Sequence, residues 1–120
     1  MNIQEVIALP SDSPVRAKLA REHQDPYVRC IAVRDMPANE IREHLAQFDP
    51  HWHVRMFAVK GLPSGSFVRS LVARYDSDAD VRQCATDGLE PNSPDREDIA
   101  LALDKYVRYT ALHPQEVWFR

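Results

Sequence analysis

Asp25-Pro26-Tyr27-Val28-Arg29-Cys30-Ile31-Ala32-Val33, closing at Met36-Pro37, is the stretch that decides the fold. Val28, Ile31, Ala32 and Val33 fall at i, i+3, i+4 and i+5, the apolar stripe of a short helix, and they do not alternate as a strand would. The aspartate supplies a capping carboxylate, and the missing N–H of the proline after it is harmless in a first turn. The proline past Met36 stops the helix. The same V-R-x-x-A pattern returns as Val54-Arg55-Met56-Phe57-Ala58, closing at Leu62-Pro63, and as Val81-Arg82-Gln83-Cys84-Ala85, closing at Leu89-Glu90-Pro91. A further copy is Val107-Arg108-Tyr109-Thr110-Ala111, closing at Leu112-His113-Pro114, and a degenerate first copy runs from Ile3 to Leu9 and Pro10.

Between these segments lies a second kind, which follows each proline and places an apolar residue three positions after its own arginine: Arg16 with Leu19, Arg42 with Leu45, Arg69 with Val72, Arg96 with Ile99. Together the two kinds give an arginine every thirteen residues or so, a period that marks stacked helical units. Ser13-Pro14 and Ser93-Pro94 start second-type helices, and Asp49-Pro50 reads like Asp25-Pro26 as the start of a first-type one. The expected architecture is all-α: an α-solenoid of about four helix pairs with a 26–27-residue period. The pairs run over 1–24, 25–48, 49–75 and 76–103, with a truncated final repeat at 104–120, all in one domain. In such a stack each repeat buries its apolar face against its neighbours, so the small alanine recurs where helices cross and the valine fills the seam.

A chain of 120 residues with 44% hydrophobic content can fill one core. The formal charge of −3 exerts no bulk pull toward nucleic acid or anionic lipid, although a local basic stripe is compatible with it. Met1 to Pro10 lacks the basic start and apolar length of a signal peptide or membrane span, so the expected compartment is the cytoplasm. Cys30 and Cys84 lie in apolar helical patterns and read as buried thiols, not as a disulfide or a metal site.

The pattern D-P-x-V-R-x-x-A-V-x-x-L-P, followed by an arginine-bearing second helix, resembles HEAT-type helical repeats, and its short period is most similar to the leucine-rich repeat variant type. The resemblance covers essentially the whole chain and implies an architecture, not an activity, because such repeats serve unrelated partners. Some proteins of that variant type carry an iron–sulfur segment with clustered cysteines; no such cluster occurs here, so no cofactor is implied. HEAT-like repeats also build alkylpurine DNA glycosylases and phycobilin lyases, but the shared residues are packing residues and neither activity carries over.

The arginines form two columns, Arg29, Arg55, Arg82 and Arg108 on first-type helices, and Arg16, Arg42, Arg69, Arg96 and Arg120 on second-type ones. The guanidinium fork suits carboxylates and helix-end carbonyls of a neighbouring repeat, which fits a composition of 12 Arg to 3 Lys and makes the columns a structural ladder. If the second-type column instead faced solvent, it would suit a nucleic-acid backbone, with affinity falling steeply with salt.

Function is sought where repeats differ. His51-Trp52-His53 reads as an insertion between Asp49-Pro50 and Val54, and the column before each valine holds Tyr27, His53, Asp80 and Tyr106. Tyr27, His51, Trp52, His53 and Tyr106 therefore form a candidate contact edge, since aromatic residues dominate interface hot spots. The alternative role for the tyrosines is to staple each helix start to the preceding repeat. His51 and His53 lack further ligands for a zinc site, and their two-residue spacing points them apart. Asp76-Ser77-Asp78-Ala79-Asp80 begins like a calcium loop but has Val81 where glycine is required, so these acids read as helix caps. There is no phosphate loop or Gly-flanked serine, and Gly61, Gly65 and Gly88 fall at turns.

After Pro114 the chain reaches Arg120 at the offset seen from Pro10 to Arg16, leaving Val117, Trp118 and Phe119 without a following helix. A fold-back cap by Trp118 and Phe119 is the favoured expectation, with pairing to a second copy next and a longer array third. The functional expectation is a non-enzymatic protein-interaction module without metal or cofactor, an adaptor, inhibitor or scaffold. Nucleic-acid-backbone binding through the second-type arginines is the alternative.

Overall fold

The computed structural model describes residues 2–94 and 96, and among them the chain is all-helical. Seven helices follow in order: α1 Ile3–Ala8, α2 Pro14–Glu22, α3 Pro26–Arg34, α4 Glu40–Phe48, α5 Trp52–Lys60, α6 Phe67–Tyr75 and α7 Ala79–Asp87. Pro94 and Arg96 are again helical. The first-type segments are the odd-numbered helices and the second-type segments the even-numbered ones.

Each helix is started by a side chain that accepts from its free N–H groups, the interaction that stabilises a short helix most locally. Ser13 caps α2 and Asp25 caps α3, each with proline at the first helical position. Asn39 caps α4, Ser66 caps α6 and Asp78 caps α7. The start of α5 corrects the reading of Asp49-Pro50. His51 is the N-cap there, its Nδ1 accepting from the His53 N–H at 3.2 Å, while Asp49 is the C-cap residue of α4. His51 thus stands where Asp25 and Asp78 stand, three residues before the valine in each case, and no turn is inserted. Trp52 and His53 are the first two residues of α5, and Trp52 is half-buried against the core.

Sequence-adjacent helices pack most extensively as α2 on α3, α4 on α5 and α6 on α7. In addition α1, α3, α5 and α7 pack in succession, as do α2, α4 and α6. The contacts between helices are filled by small residues. Ala32, Ala58 and Ala85 of the first type are wholly buried, and so, to within 2%, are Ala20, Ala46 and Ala73, which follow each second-type arginine by four. The absence of bulk at these sites lets backbones approach, while Val54, Val59 and Val81 fill the space beside them with no exposure. Each fully buried valine contributes about 1.5–3 kcal/mol relative to an exposed one. No helix among the described residues is long and apolar enough to cross a membrane.

Candidate interaction surfaces

The second-type arginines are placed by their helices between the C-terminal ends of two first-type helices. Arg16 on α2 donates to Val6, Ile7 and Leu9 at the end of α1 and to Ile31 and Ala32 near the end of α3, over 2.7–3.2 Å. Arg42 on α4 does the same for α3, through Val33, Arg34 and Met36, and for α5, through Phe57 and Ala58. Arg69 on α6 joins Val59, Lys60 and Leu62 to Cys84 and Ala85. Arg96 reaches Thr86 in the last turn of α7 and Leu89 past its end. The last carbonyls of a helix have no partner within it and carry the negative end of its dipole, so a guanidinium satisfies both needs at two helices together. Arg16, Arg42 and Arg69 are only 1%, 1% and 4% exposed, and burial pulls the pKa of Arg42 and Arg69 below the ordinary arginine value. Apart from the Arg42 Nε, which is buried without a partner, the guanidinium nitrogens of these three arginines donate to protein carbonyls.

The first-type arginines serve the other row in the same way. Arg29 forks onto the Asp49 carboxylate, with Nε to Oδ2 at 3.0 Å and Nη2 to Oδ1 at 3.1 Å, and also donates to His23 and Gln24 carbonyls after α2. Arg55 forks onto Asp76 at 2.9 and 3.2 Å and donates to the Asp49 carbonyl. Arg82 donates to the Asp76 carbonyl. Both carboxylates are nearly inaccessible, so the acidic turn at Asp76 divides its work between an arginine pair and, at Asp78, a helix cap. Arg108 lies outside the described residues.

Gly61 and Gly88 end α5 and α7 with φ of −87° and −90°, a conformation open to any residue, so the turns themselves do not require glycine. What glycine supplies is space: a Cβ at Gly61 would overlap the Arg42 guanidinium where it now lies, and one at Gly88 that of Arg69. Asp35 holds the same place after α3, with its carboxylate 4.0 Å from Arg16.

Three of the sequence-selected contact residues are brought together. Tyr27, Cys30 and Ile31 of α3 face His51, His53 and Phe57 across a groove of about 390 Å³, with Asp25 and Pro26 at one end. Tyr27 is 60% exposed, and Lys60 lies over the Phe57 ring at 5.5 Å. The two histidines do not diverge as their spacing implied. Because His51 is outside the helix and turned back to cap it, its ring stacks on His53 at 5.5 Å, and His53 in turn lies 3.6 Å from Trp52, centroid to centroid. Trp52 does not line the groove and supports His53 from the core side. Tyr106, Trp118 and Phe119 lie outside the described residues.

A second surface escaped the sequence reading. On α6 Phe67, Leu71 and Tyr75 follow one another at i, i+4 and i+8, and on α4 His44 packs its ring on Phe48 at 5.1 Å. Phe67, Tyr75 and Phe48 are 76%, 75% and 64% exposed, the most exposed large apolar side chains among the described residues. The signal was present at one fixed place: six residues after Arg16, Arg42 and Arg69 stand Glu22, Phe48 and Tyr75.

Cys30 is buried and its thiol is pushed up to about 11, first by burial and then by nearby Asp49. Burial also raises the half-buried Cys84 thiol, so neither is poised as a nucleophile. Among the described residues no three His, Cys, Asp or Glu side chains gather in a way that could hold a metal ion. No protein-family model matches the chain, and neither a curated protein nor a solved structure matches it significantly.

Proposed function

We propose that the chain is a stack of HEAT-like helix pairs with a 26–27-residue period that works without catalysis as a protein-interaction module in the cytoplasm, as an adaptor, inhibitor or scaffold. The observation that carries this reading is the groove between α3 and α5, where Tyr27, His51, His53 and Phe57 stand at helix positions that differ between copies. Invariant positions are occupied with packing and with the arginine hydrogen bonds. Variable aromatic positions are left for a ligand, and tyrosine and histidine present an apolar body with a polar tip.

The test is a pull-down from the native cell with the wild type beside Tyr27→Ser/His53→Ser, both checked by circular dichroism. Both side chains are exposed, so the variant keeps the fold, and a protein retained by the wild type alone is the expected result. An identical set of captured proteins would refute the assignment of this groove. Nucleic-acid-backbone binding has weaker support, since Arg16, Arg42 and Arg69 already donate to carbonyls. A titration with a DNA duplex at low salt should accordingly show no salt-dependent binding.

A further inference from the structure

The α4–α6 face is apolar and exposed, with Glu40 and Glu43 at its N-terminal end and Arg74 in the last turn of α6. Gln47, Phe48, Leu71, Val72, Tyr75 and Asp76 line one depression, built from the C-terminal halves of both helices. Ala38, Glu43, Pro63, Ser66, Phe67 and Val68 line another, at the N-terminal ends of the same two helices. The helices therefore run side by side in one direction with a seam between them. From Phe67 to Tyr75 the seam is about 12 Å long, the rise of eight helical residues. Soluble proteins rarely leave a contiguous row of aromatic side chains uncovered, and a seam between two helices is the kind of groove into which a third helix lays its apolar face.

Charge says which helix. Glu40 and Glu43 are exposed at the N-terminal end of α4, and neither carboxylate has an ion-pair partner among the described residues. The other two carboxylates near the seam, Asp49 and Asp76, are each neutralised by a bidentate arginine.

From this we infer that the α4–α6 seam binds a short amphipathic helix of another protein, with apolar residues at i and i+4 seated between Phe48, Leu71 and Tyr75 and a Lys or Arg over Glu40 and Glu43. Glu43 and Glu40 precede Phe48 by five and eight residues, about 7 and 12 Å along the axis, so the basic residue lies roughly four to eight positions from the apolar pair. This surface is separate from the Tyr27 groove, and it extends the interaction reading to a second partner site with its own chemistry.

The experiment is selection from a phage-displayed library of random 16-residue peptides on the full chain, followed by fluorescence-anisotropy titration of the synthetic consensus peptide. The expected consensus has an apolar pair four apart and a basic residue at the stated distance. Binding of that peptide falls at least tenfold with Phe48→Ser/Tyr75→Ser, at least fivefold with Glu40→Lys/Glu43→Lys, and is unchanged with Tyr27→Ser/His53→Ser. All substituted side chains are exposed, and the circular dichroism spectrum of each variant should match the wild type. Loss of binding in the Tyr27→Ser/His53→Ser variant alone would assign the peptide to the other groove and overturn the inference while sparing the reading of that groove. An acidic consensus, or no enrichment over the Phe48→Ser/Tyr75→Ser protein, overturns it as well. So does a concentration-dependent dimer that dissociates in that variant, because the occupant is then a second copy.

Discussion

Replacing Arg42 by methionine removes a guanidinium from the ends of two helices while keeping most of the side-chain volume. The carbonyls of Phe57 and Ala58 in the last turn of α5, of Arg34 at the end of α3 and of Met36 after it accept from Arg42 over 2.6–3.1 Å. Within α5 the backbone donors of Gly61 and Leu62 turn to Val59, so Phe57 and Ala58 depend on this arginine. A hydrogen bond from a charged donor nets about 1.5–3 kcal/mol, and losing all five, the one to the Val33 carbonyl included, would sum to more than the protein can lose. Two effects reduce that sum: the desolvation of a nearly inaccessible cation is recovered, and water reaches some of the freed carbonyls. The net cost is about 3–5 kcal/mol, a large share of the roughly 5–15 kcal/mol that holds a domain folded. With a urea slope of about 1–2 kcal/mol/M, the midpoint should fall by about 3 M. Arg42→Lys should cost about half as much, since one ammonium cannot serve both helix ends. Arg34→Ala, at an exposed pair with Asp35, should change stability by less than about 0.5 kcal/mol and serves as the control. An Arg42→Met protein within about 1 kcal/mol of wild type, or more stable, would refute the idea that these guanidinium groups hold the helix ends together.

Arg42 and Arg69 share the end of α5, so the double Met variant should depart from additivity by about 0.5 kcal/mol or more in the same urea titrations. Asp49→Ala strands Arg29 without its carboxylate in a nearly closed site and should cost about 3 kcal/mol; a loss below 1 kcal/mol would show that water takes over. Gly61→Ala should cost about 1–3 kcal/mol in the wild type and much less in an Arg42→Ala background, where the space it needs is empty. For Cys30, a thiol pKa raised from 9.0 to about 11 favours the fold while the unfolded thiol stays protonated, and that contribution is lost as pH climbs from 9 through 11. By pH 10.5 the wild type should lose about 2 kcal/mol more than Cys30→Ala, measured against pH 7, and equal losses would dismiss the burial of the thiol as the cause.

Much of the helix pattern was readable because its signals are local. Ser13 and Asp25, each before a proline, cap their helices through N–H groups two or three residues away, and the i, i+3, i+4 stripes at Val28 and Ile41 need only a few neighbours to be recognised. Asp49 misled for a physical reason. An Asp-Pro pair matches the start of α3, but Arg29, twenty residues earlier, holds this carboxylate at the end of α4, and a long-range ion pair outweighs a local preference. The clue lay in spacing: Arg29 and Arg55 have aspartates twenty and twenty-one residues on, whereas Ile3, where the column lacks an arginine, has His23. The Tyr27 and His53 edge was found by comparing copies at the starts of first-type helices. The Phe48 and Tyr75 face was missed because the same comparison was not made at the ends of second-type helices, where Glu22 gives way to two aromatics.

The arginine bonds repeat with a fixed arithmetic. Arg16, Arg42 and Arg69 each reach the carbonyls fifteen and sixteen residues further along. A cut that removes one unit of 26 or 27 residues, from any point in one copy to the same point in the next, rejoins every arginine to carbonyls of the correct offset. The chain is thus built so that it could be lengthened or shortened by gene duplication and loss in whole steps, with no new joint to be invented at the seam.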